Sequence, residues 1–132
     1  MEGTMKIIEE VTVGPQPNQE EIYEFGKNGF KTVVNFRAPH EKDQPINPQA
    51  EEQIVKGADM EYLHIPVSMN SLDESLVDQF REQYDVLPKP IFAHCKSGKR
   101  AGAMVMMDLA VKQGMSGEQT LKRWGSNAIS PS

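Results

Sequence analysis

The chain has 132 residues, of which 38% are apolar and 25% charged, and its net charge at neutral pH is −5. That length and composition are typical of a single soluble globular domain, so we expect residues 1–132 to form one domain. No apolar run approaches the roughly 18 residues of a membrane span. The acidic balance disfavours a nucleic-acid-binding protein, because affinity for a phosphate backbone requires a basic surface.

The amino terminus and the single cysteine bear on location and metal binding. Residues 1–6 contain no apolar stretch of signal-peptide type, which predicts a cytoplasmic protein, although removal of a signal peptide would leave the same pattern. Cys95 cannot form an internal disulfide. Together with His40, His64 and His94 it shows no zinc-ligand spacing, so we expect no metal and no cofactor. The sequence leaves the oligomeric state open.

The first third of the chain predicts strands and one helix. Two short strands are expected at residues 6–8 and 11–13. Asn18 has the side chain of an N-cap for a helix over residues 19–27, which ends at an Asn-Gly pair. The β-branched and aromatic run at residues 31–36 predicts a third strand.

The middle of the chain continues the alternation. A polar, proline-containing loop over residues 37–48 leads to a predicted helix at 49–56 and a strand at 61–65. A helix over residues 73–84 follows, and a strand at 91–94. Three apolar residues of this helix recur every four positions and predict one buried stripe: Leu76, Phe80 and Tyr84.

The last third predicts a buried helix and a terminal one. Residues 101–111 are apolar nearly all round, which is typical of a buried helix. Ser116 and Gln119 resemble a capping box for a helix ending near Trp124. Alternating strands and helices predict a three-layer α/β fold, with a mostly parallel sheet of four to five strands and helices on both faces. Ligands bind beyond the carboxyl ends of such strands, where Cys95 lies.

The segment from His94 to Arg100 reads as an anion-binding loop between a strand and a helix. Amides at a helix N-terminus lack intrahelical partners, and the helix dipole adds a partial positive charge there. Gly98 permits a positive φ that turns amides inward, and Arg100 offers a planar fork for two oxygens. The same field favours the reactive thiolate of Cys95.

A cysteine at a strand end is more often a small buried hydrophobe than a catalyst. Here the flanking His94, Gly98 and Arg100 favour the catalytic interpretation. That interpretation requires the sulfur to be reachable by an anion and the Arg100 fork to point inward. The expected partner is a small anion, namely phosphate, a phosphorylated substrate or a sulfur species.

His-Cys-x-x-Gly-x-Arg resembles the active-site loop of tyrosine and dual-specificity phosphatases and of rhodanese-type sulfurtransferases. More widely, the chain resembles the phosphatase-like domain of beta-lactamase-hydrolase-like proteins (DUF442). The matching segments are residues 14–18, 29–37, 65–67 and 93–101. The resemblance implies a dual-specificity-phosphatase-like fold, with a rhodanese-like fold as the alternative, and a phosphatase that acts through a phosphocysteine.

The resemblance also implies roles for individual residues. Cys95 would be the nucleophile, Arg100 the oxyanion ligand, and His94 the residue that orients the loop. The amides of the loop would form the cradle: Lys96, Ser97, Gly98, Lys99 and Arg100. A phosphatase also uses an acid, for which Asp73 is the nearest carboxylate, although Asp73 is also placed to cap the following helix. Asp43 is a weaker substitute.

Two departures keep other functions open. Four residues separate Cys95 from Arg100, where tyrosine phosphatases have five and rhodanese-type loops are similarly short. Ala101 replaces the hydroxyl residue that helps a phosphocysteine break down. The alternatives are therefore a sulfurtransferase carrying a persulfide on Cys95, or a module that binds an oxyanion without turnover. Arg37 would either add positive charge over the pocket or form a surface ion pair, and His64 reads as a packed histidine.

Overall fold

The computed structural model describes residues 3–38, 46–67 and 74–112. Within these ranges strands and helices alternate along most of the chain. The strands are β1 (Met5–Ile8), β2 (Val11–Gly14), β3 (Thr32–Asn35), β4 (Glu61–His64) and β5 (Ile91–His94). The helices are α1 (Gln19–Lys27), α2 (Pro48–Gly57), α3 (Glu74–Tyr84) and α4 (Lys99–Lys112).

The sheet has the strand order β1-β2-β5-β3-β4. Only the edge strand β1 is antiparallel to its neighbour, and the other neighbouring pairs are parallel. The prediction of a mostly parallel sheet is therefore confirmed. Strand β5 lies between β2 and β3, in a register that pairs His94 with both Gly14 and Asn35.

Two apolar clusters cover the two faces of the sheet, as expected for three layers. Helices α1 and α2 contact each other over one face, where the buried residues are Ile22, Phe25, Val33, Val55, Met60 and Phe92. Helices α3 and α4 contact each other over the opposite face, whose larger cluster includes Phe80, Tyr84, Met104 and Met107. The predicted stripe on α3 faces this cluster. None of the helices described here has the length and apolarity to cross a membrane.

Helix α1 begins at the residue expected from the sequence, α2 and α3 begin within one residue of it, and α4 differs by two. Asn18 accepts a hydrogen bond from the Glu21 amide at 2.8 Å, and the Glu21 carboxylate accepts one from the Asn18 amide at 2.9 Å, which confirms the predicted cap of α1. Helix α4 begins at Lys99, two residues before the expected start. The reason is that the Gly98 carbonyl already accepts the first helical hydrogen bond, from the Gly102 amide at 2.9 Å. The predicted terminal helix and Trp124 lie outside the described residues.

The aromatic packing beneath β5 generates a stability prediction. The Phe92 ring is fully buried and stacks on Phe25 with their centroids 4.1 Å apart. We expect Phe92→Ala to lower the free energy of unfolding by about 3–5 kcal/mol, because it leaves a cavity under the sheet. Val86, which is 75% exposed, provides a control: Val86→Ala should change the free energy of unfolding by less than about 0.5 kcal/mol. Equal losses in urea unfolding of the two variants would contradict this packing.

Candidate active site

Cys95 follows directly on β5, the strand between β2 and β3. Successive side chains of a strand point to opposite faces of the sheet. Phe92 belongs to the cluster under α1 and α2, and Ala93 to the cluster under α3 and α4. His94 and Cys95 continue the alternation, so that Cys95 joins the α4 side, whereas His94 contacts α2. The end of β5 thus places the His94 ring on the α2 side of the sheet and the Cys95 thiol on the α4 side.

The turn after Cys95 directs a backbone donor at its sulfur. The amide of Gly98 donates a hydrogen bond to Cys95 Sγ across 3.1 Å. Gly98 has a φ of +99°, and a Cβ there would lie 3.2 Å from the carbonyl carbon of Gly14. A Cβ on Gly14 would in turn lie 2.8 Å from the Phe92 ring. The tight loop therefore requires glycine on both sides of this close approach.

Arg100 lies in the first turn of α4 and is 9% exposed. Its Nη1 donates a hydrogen bond to the Val67 carbonyl oxygen at 2.8 Å. That contact joins the start of α4 to the segment just after β4. The guanidinium is thus held inward, as the catalytic interpretation requires.

The other requirement, a reachable sulfur, is not met by this structure. Cys95 has no exposed surface and packs within the apolar cluster under α3 and α4. Because a buried sulfur cannot meet a substrate, any reaction at Cys95 requires the surrounding side chains to move. The hydrogen bond from Gly98 nevertheless distinguishes this thiol from a cysteine that only fills the core.

His94 contacts a carboxylate that the sequence analysis did not single out. Its Nε2 lies 2.6 Å from Oε2 of Glu51, and both side chains are fully buried. Its Nδ1 lies 3.4 Å from the carbonyl oxygen of Cys95. The second carboxylate oxygen of Glu51 accepts a hydrogen bond from Gln16 Nε2 at 2.8 Å. The ring of His94 is therefore held between α2 and the start of the loop.

Gln16 connects the loop to the rest of this polar network. Its backbone N–H donates a hydrogen bond to the Lys96 carbonyl oxygen at 3.2 Å, so Gln16 contacts the loop directly. Its side-chain oxygen accepts a hydrogen bond from Arg37 Nη1 at 3.0 Å. Gln16 thus bridges Arg37 and Glu51.

The expectation that Arg37 forms a surface ion pair is wrong, and the expectation that it adds positive charge over the pocket stays a prediction. The residue is fully buried and its Nη1 contacts Gln16. The reason is local, since the Asn35 side-chain oxygen accepts a hydrogen bond from the Arg37 backbone N–H at 2.8 Å and the His64 ring contacts the Arg37 carbonyl oxygen. His64 is half-buried, which confirms that it is a packed histidine.

Tyr62 also approaches the Glu51 carboxylate. Its hydroxyl accepts a hydrogen bond from Asn35 Nδ2 at 2.9 Å. Burial raises the pKa of Tyr62 well above its ordinary value, and the neighbouring charge of Glu51 and a hydrogen bond to it raise it further. The Tyr62 hydroxyl therefore stays protonated.

A signal for Glu51 was present in the sequence. Glu51 lies on the same buried side of α2 as Pro48 and Val55, so a charged residue interrupts the face that packs inward. A charge in that position requires partners, because an unpaired buried charge is very costly. Gln16 carried no such signal, since its role depends on strands that meet only in the fold.

The remaining predicted residues divide into two groups. Lys96 and Ser97 are exposed on the loop, and Lys99 is half-buried at the start of α4. Asp73 and Asp43, the candidate acids, lie outside the described residues. Across residues 3–38, 46–67 and 74–112, no group of three or more His, Cys, Asp or Glu side chains is placed to hold a metal ion.

Residues 4–112 match the family model described as "Beta-lactamase hydrolase-like protein, phosphatase-like domain". The chain belongs to this family. A beta-lactamase hydrolase-like protein of Agrobacterium fabrum is 32% identical over 108 residues, which are 81% of this chain and 25% of that protein. The chain spans about a quarter of the length of the curated relatives it matches.

Solved structures confirm the fold expected from the resemblance. A candidate phosphatase of Neisseria meningitidis superposes with a TM-score of 0.78 at 20% identity, covering 98% of this chain and 91% of that one. TpbA of P. aeruginosa, in complex with pTyr, superposes with a TM-score of 0.67 at 20% identity, covering 91% of this chain and 70% of that one. The five-stranded α/β fold is thus that of tyrosine-phosphatase-like proteins.

The contact between the two glycines generates the next prediction. Gly98→Ala introduces both a strained φ and a contact with the Gly14 backbone, so we expect a loss of about 2–4 kcal/mol in unfolding free energy. Gly29 is a matched control, because its φ is +94° but a Cβ there meets nothing within 4 Å. Gly29→Ala should cost only about 1 kcal/mol. Equal losses of unfolding free energy in the two variants, measured by urea unfolding, would contradict the close approach.

Proposed function

We propose that this domain, residues 1–132, is a cysteine-dependent phosphatase that hydrolyses phosphomonoesters. The observation that carries the proposal is the hydrogen bond from the Gly98 amide to Cys95 Sγ, at the start of the helix that also holds Arg100. Membership of the phosphatase-like family and the pTyr complex of TpbA support phosphate as the group bound. The proposed ligand is accordingly a small phosphorylated anion.

The proposed reaction has two steps. The Cys95 thiolate attacks phosphorus, an S–P bond forms, and the ester P–O bond breaks as the leaving alkoxide takes a proton. Arg100 and the amides at the start of α4 stabilise the charge on the phosphoryl oxygens. Water then cleaves the S–P bond, which releases phosphate and restores the thiolate. We propose Asp73 as the acid, and because Ala101 offers no hydroxyl we expect the second step to be slow.

A sulfurtransferase reaction is the second candidate, favoured by the tight loop. Four residues separate Cys95 from Arg100, and Gly98 approaches the Gly14 backbone. A ring this narrow suits one sulfur atom better than a tetrahedral phosphate. In that reaction Cys95 takes the outer sulfur of thiosulfate, sulfite leaves, and the resulting persulfide passes its sulfur to cyanide as thiocyanate.

One experiment separates these reactions and the binding module. Wild type and Cys95→Ser are assayed with an aryl phosphate and, in parallel, with thiosulfate plus cyanide. We expect phosphate release from the wild type and none above background from the variant, because serine is far less nucleophilic at neutral pH. Thiocyanate without phosphate would favour the sulfurtransferase, and phosphate binding without either product would favour the module. A persulfide mass shift on Cys95 in freshly purified protein would also favour the sulfurtransferase.

The role of Arg100 gives a further prediction. Arg100→Lys keeps the charge but loses the planar fork, so we expect kcat for the aryl phosphate to fall by about 10²–10³-fold. Arg81→Lys is the matched control, because Arg81 forms a partly exposed ion pair with Asp78 at 3.0 Å. The control should leave kcat unchanged. Equal kcat values for the two variants would exclude Arg100 as the oxyanion ligand.

A further inference from the structure

We propose that Glu51 is a positioning residue for the reaction at Cys95, acting through the ring of His94. The inference rests on the proposed function for its kinetic part and extends it to a residue on α2, outside the Cys95–Arg100 loop. It starts from the 2.6 Å contact between Glu51 Oε2 and His94 Nε2.

The burial of Glu51 indicates a specific task for its carboxylate. A side chain with 0% exposure loses its hydration, and a carboxylate in that position persists only where donors replace water. The donors present are His94 Nε2, Gln16 Nε2 and the Tyr62 hydroxyl. Three donors suit an ionised carboxylate, which only accepts hydrogen bonds. The guanidinium of Arg37 joins the same network through Gln16.

The contact also fixes the orientation of the His94 ring. Both ring nitrogens face oxygen acceptors, Nε2 the Glu51 carboxylate and Nδ1 the carbonyl oxygen of Cys95. The ring cannot rotate about its axis without losing the contact to Glu51. Its orientation therefore sets the position of the Cys95 peptide, the first peptide of the loop.

A second connection runs from the same carboxylate to the loop backbone. Gln16 contacts Glu51 with its side-chain amide and the Lys96 carbonyl oxygen with its backbone N–H. Glu51 thus holds two successive peptides that follow Cys95: the Cys95–Lys96 peptide through His94 and the Lys96–Ser97 peptide through Gln16. Those peptides determine whether the Gly98 amide is aimed at the sulfur. Loss of the carboxylate should misplace that donor and weaken the stabilisation of the thiolate.

The test compares Glu51→Gln with Glu52→Gln, the same change one position further along α2. Glu52 is a suitable control because its side chain is 40% exposed and pairs with Lys56 at 3.1 Å. In Glu51→Gln we expect kcat for the aryl phosphate to fall about tenfold to a hundredfold, the usual effect of losing a partner that orients a functional histidine. KM should change by less than about threefold. Glu52→Gln should have the kcat and KM of the wild type.

Two readouts do not depend on turnover. Because access to the buried sulfur affects alkylation at every pH, the rate of Cys95 alkylation by iodoacetamide at pH 7 is divided by the rate at pH 10; this ratio should fall at least about threefold in Glu51→Gln and stay unchanged in Glu52→Gln. A downfield proton resonance from His94 Nε2–H should be present in the wild type and in Glu52→Gln, and absent from Glu51→Gln and His94→Asn. If the wild type released no phosphate, the proposed function would fail, while these readouts would still decide the role of Glu51.

Folding and coupling controls complete the design. Glu51→Asp keeps the charge but moves the carboxylate oxygens away from His94, so its kcat should lie between those of the wild type and Glu51→Gln. It replaces Glu51→Gln in the test if that variant does not fold. The Glu51→Gln/His94→Asn double variant should lose less kcat than the two single losses combined, because the two substitutions remove one shared contact and only the connection through Gln16 is lost in addition. Additive losses in kcat, or a ratio of alkylation rates that is unchanged or higher in Glu51→Gln, would overturn the proposal.

Discussion

The register of three parallel strands is the constraint on which the site depends. His94 at the end of β5 pairs with Gly14 of β2 and with Asn35 of β3, so three strands end at one level. Each strand then contributes a different element just beyond that level. β2 leads to Gln16, which contacts the loop, β3 leads to the buried Arg37, and β5 leads to Cys95. A slip of one residue in β5 would exchange the faces reached by His94 and Cys95.

This arrangement places opposite chemical environments on the two sides of the sheet. On the α2 side, hydrogen bonds join Arg37, Gln16, Glu51 and His94 into a buried network. On the α4 side, Cys95 lies among apolar residues and receives its hydrogen bond from Gly98. The polar side holds the loop in place, and the apolar side strengthens the effect of each backbone donor on the sulfur, because few other dipoles screen it. Helix α4 adds its N-terminal dipole at the same point.

The sequence predicted local features well and cross-strand contacts poorly. The β-branched run of the third strand, the Asn18 cap and the apolar character of α4 are local features of the sequence, and the structure confirms them. The position of Gly98 in the loop was also evident, since a positive φ is a local requirement. The burial of Arg37 was not evident from the sequence, because it depends on Gln16, which is 21 residues away in the chain. Glu51 was missed for the same reason, although its place on the inward face of α2 was a usable signal.

The burial of Cys95 changes how the site has to work. A thiol that is accessible at all times would react with any oxidant, whereas one with no exposed surface reacts only when the side chains around it move. Arg100 is suited to take part in such a movement, because its Nη1 donates to a carbonyl oxygen and an arriving oxyanion would be a stronger acceptor than that carbonyl.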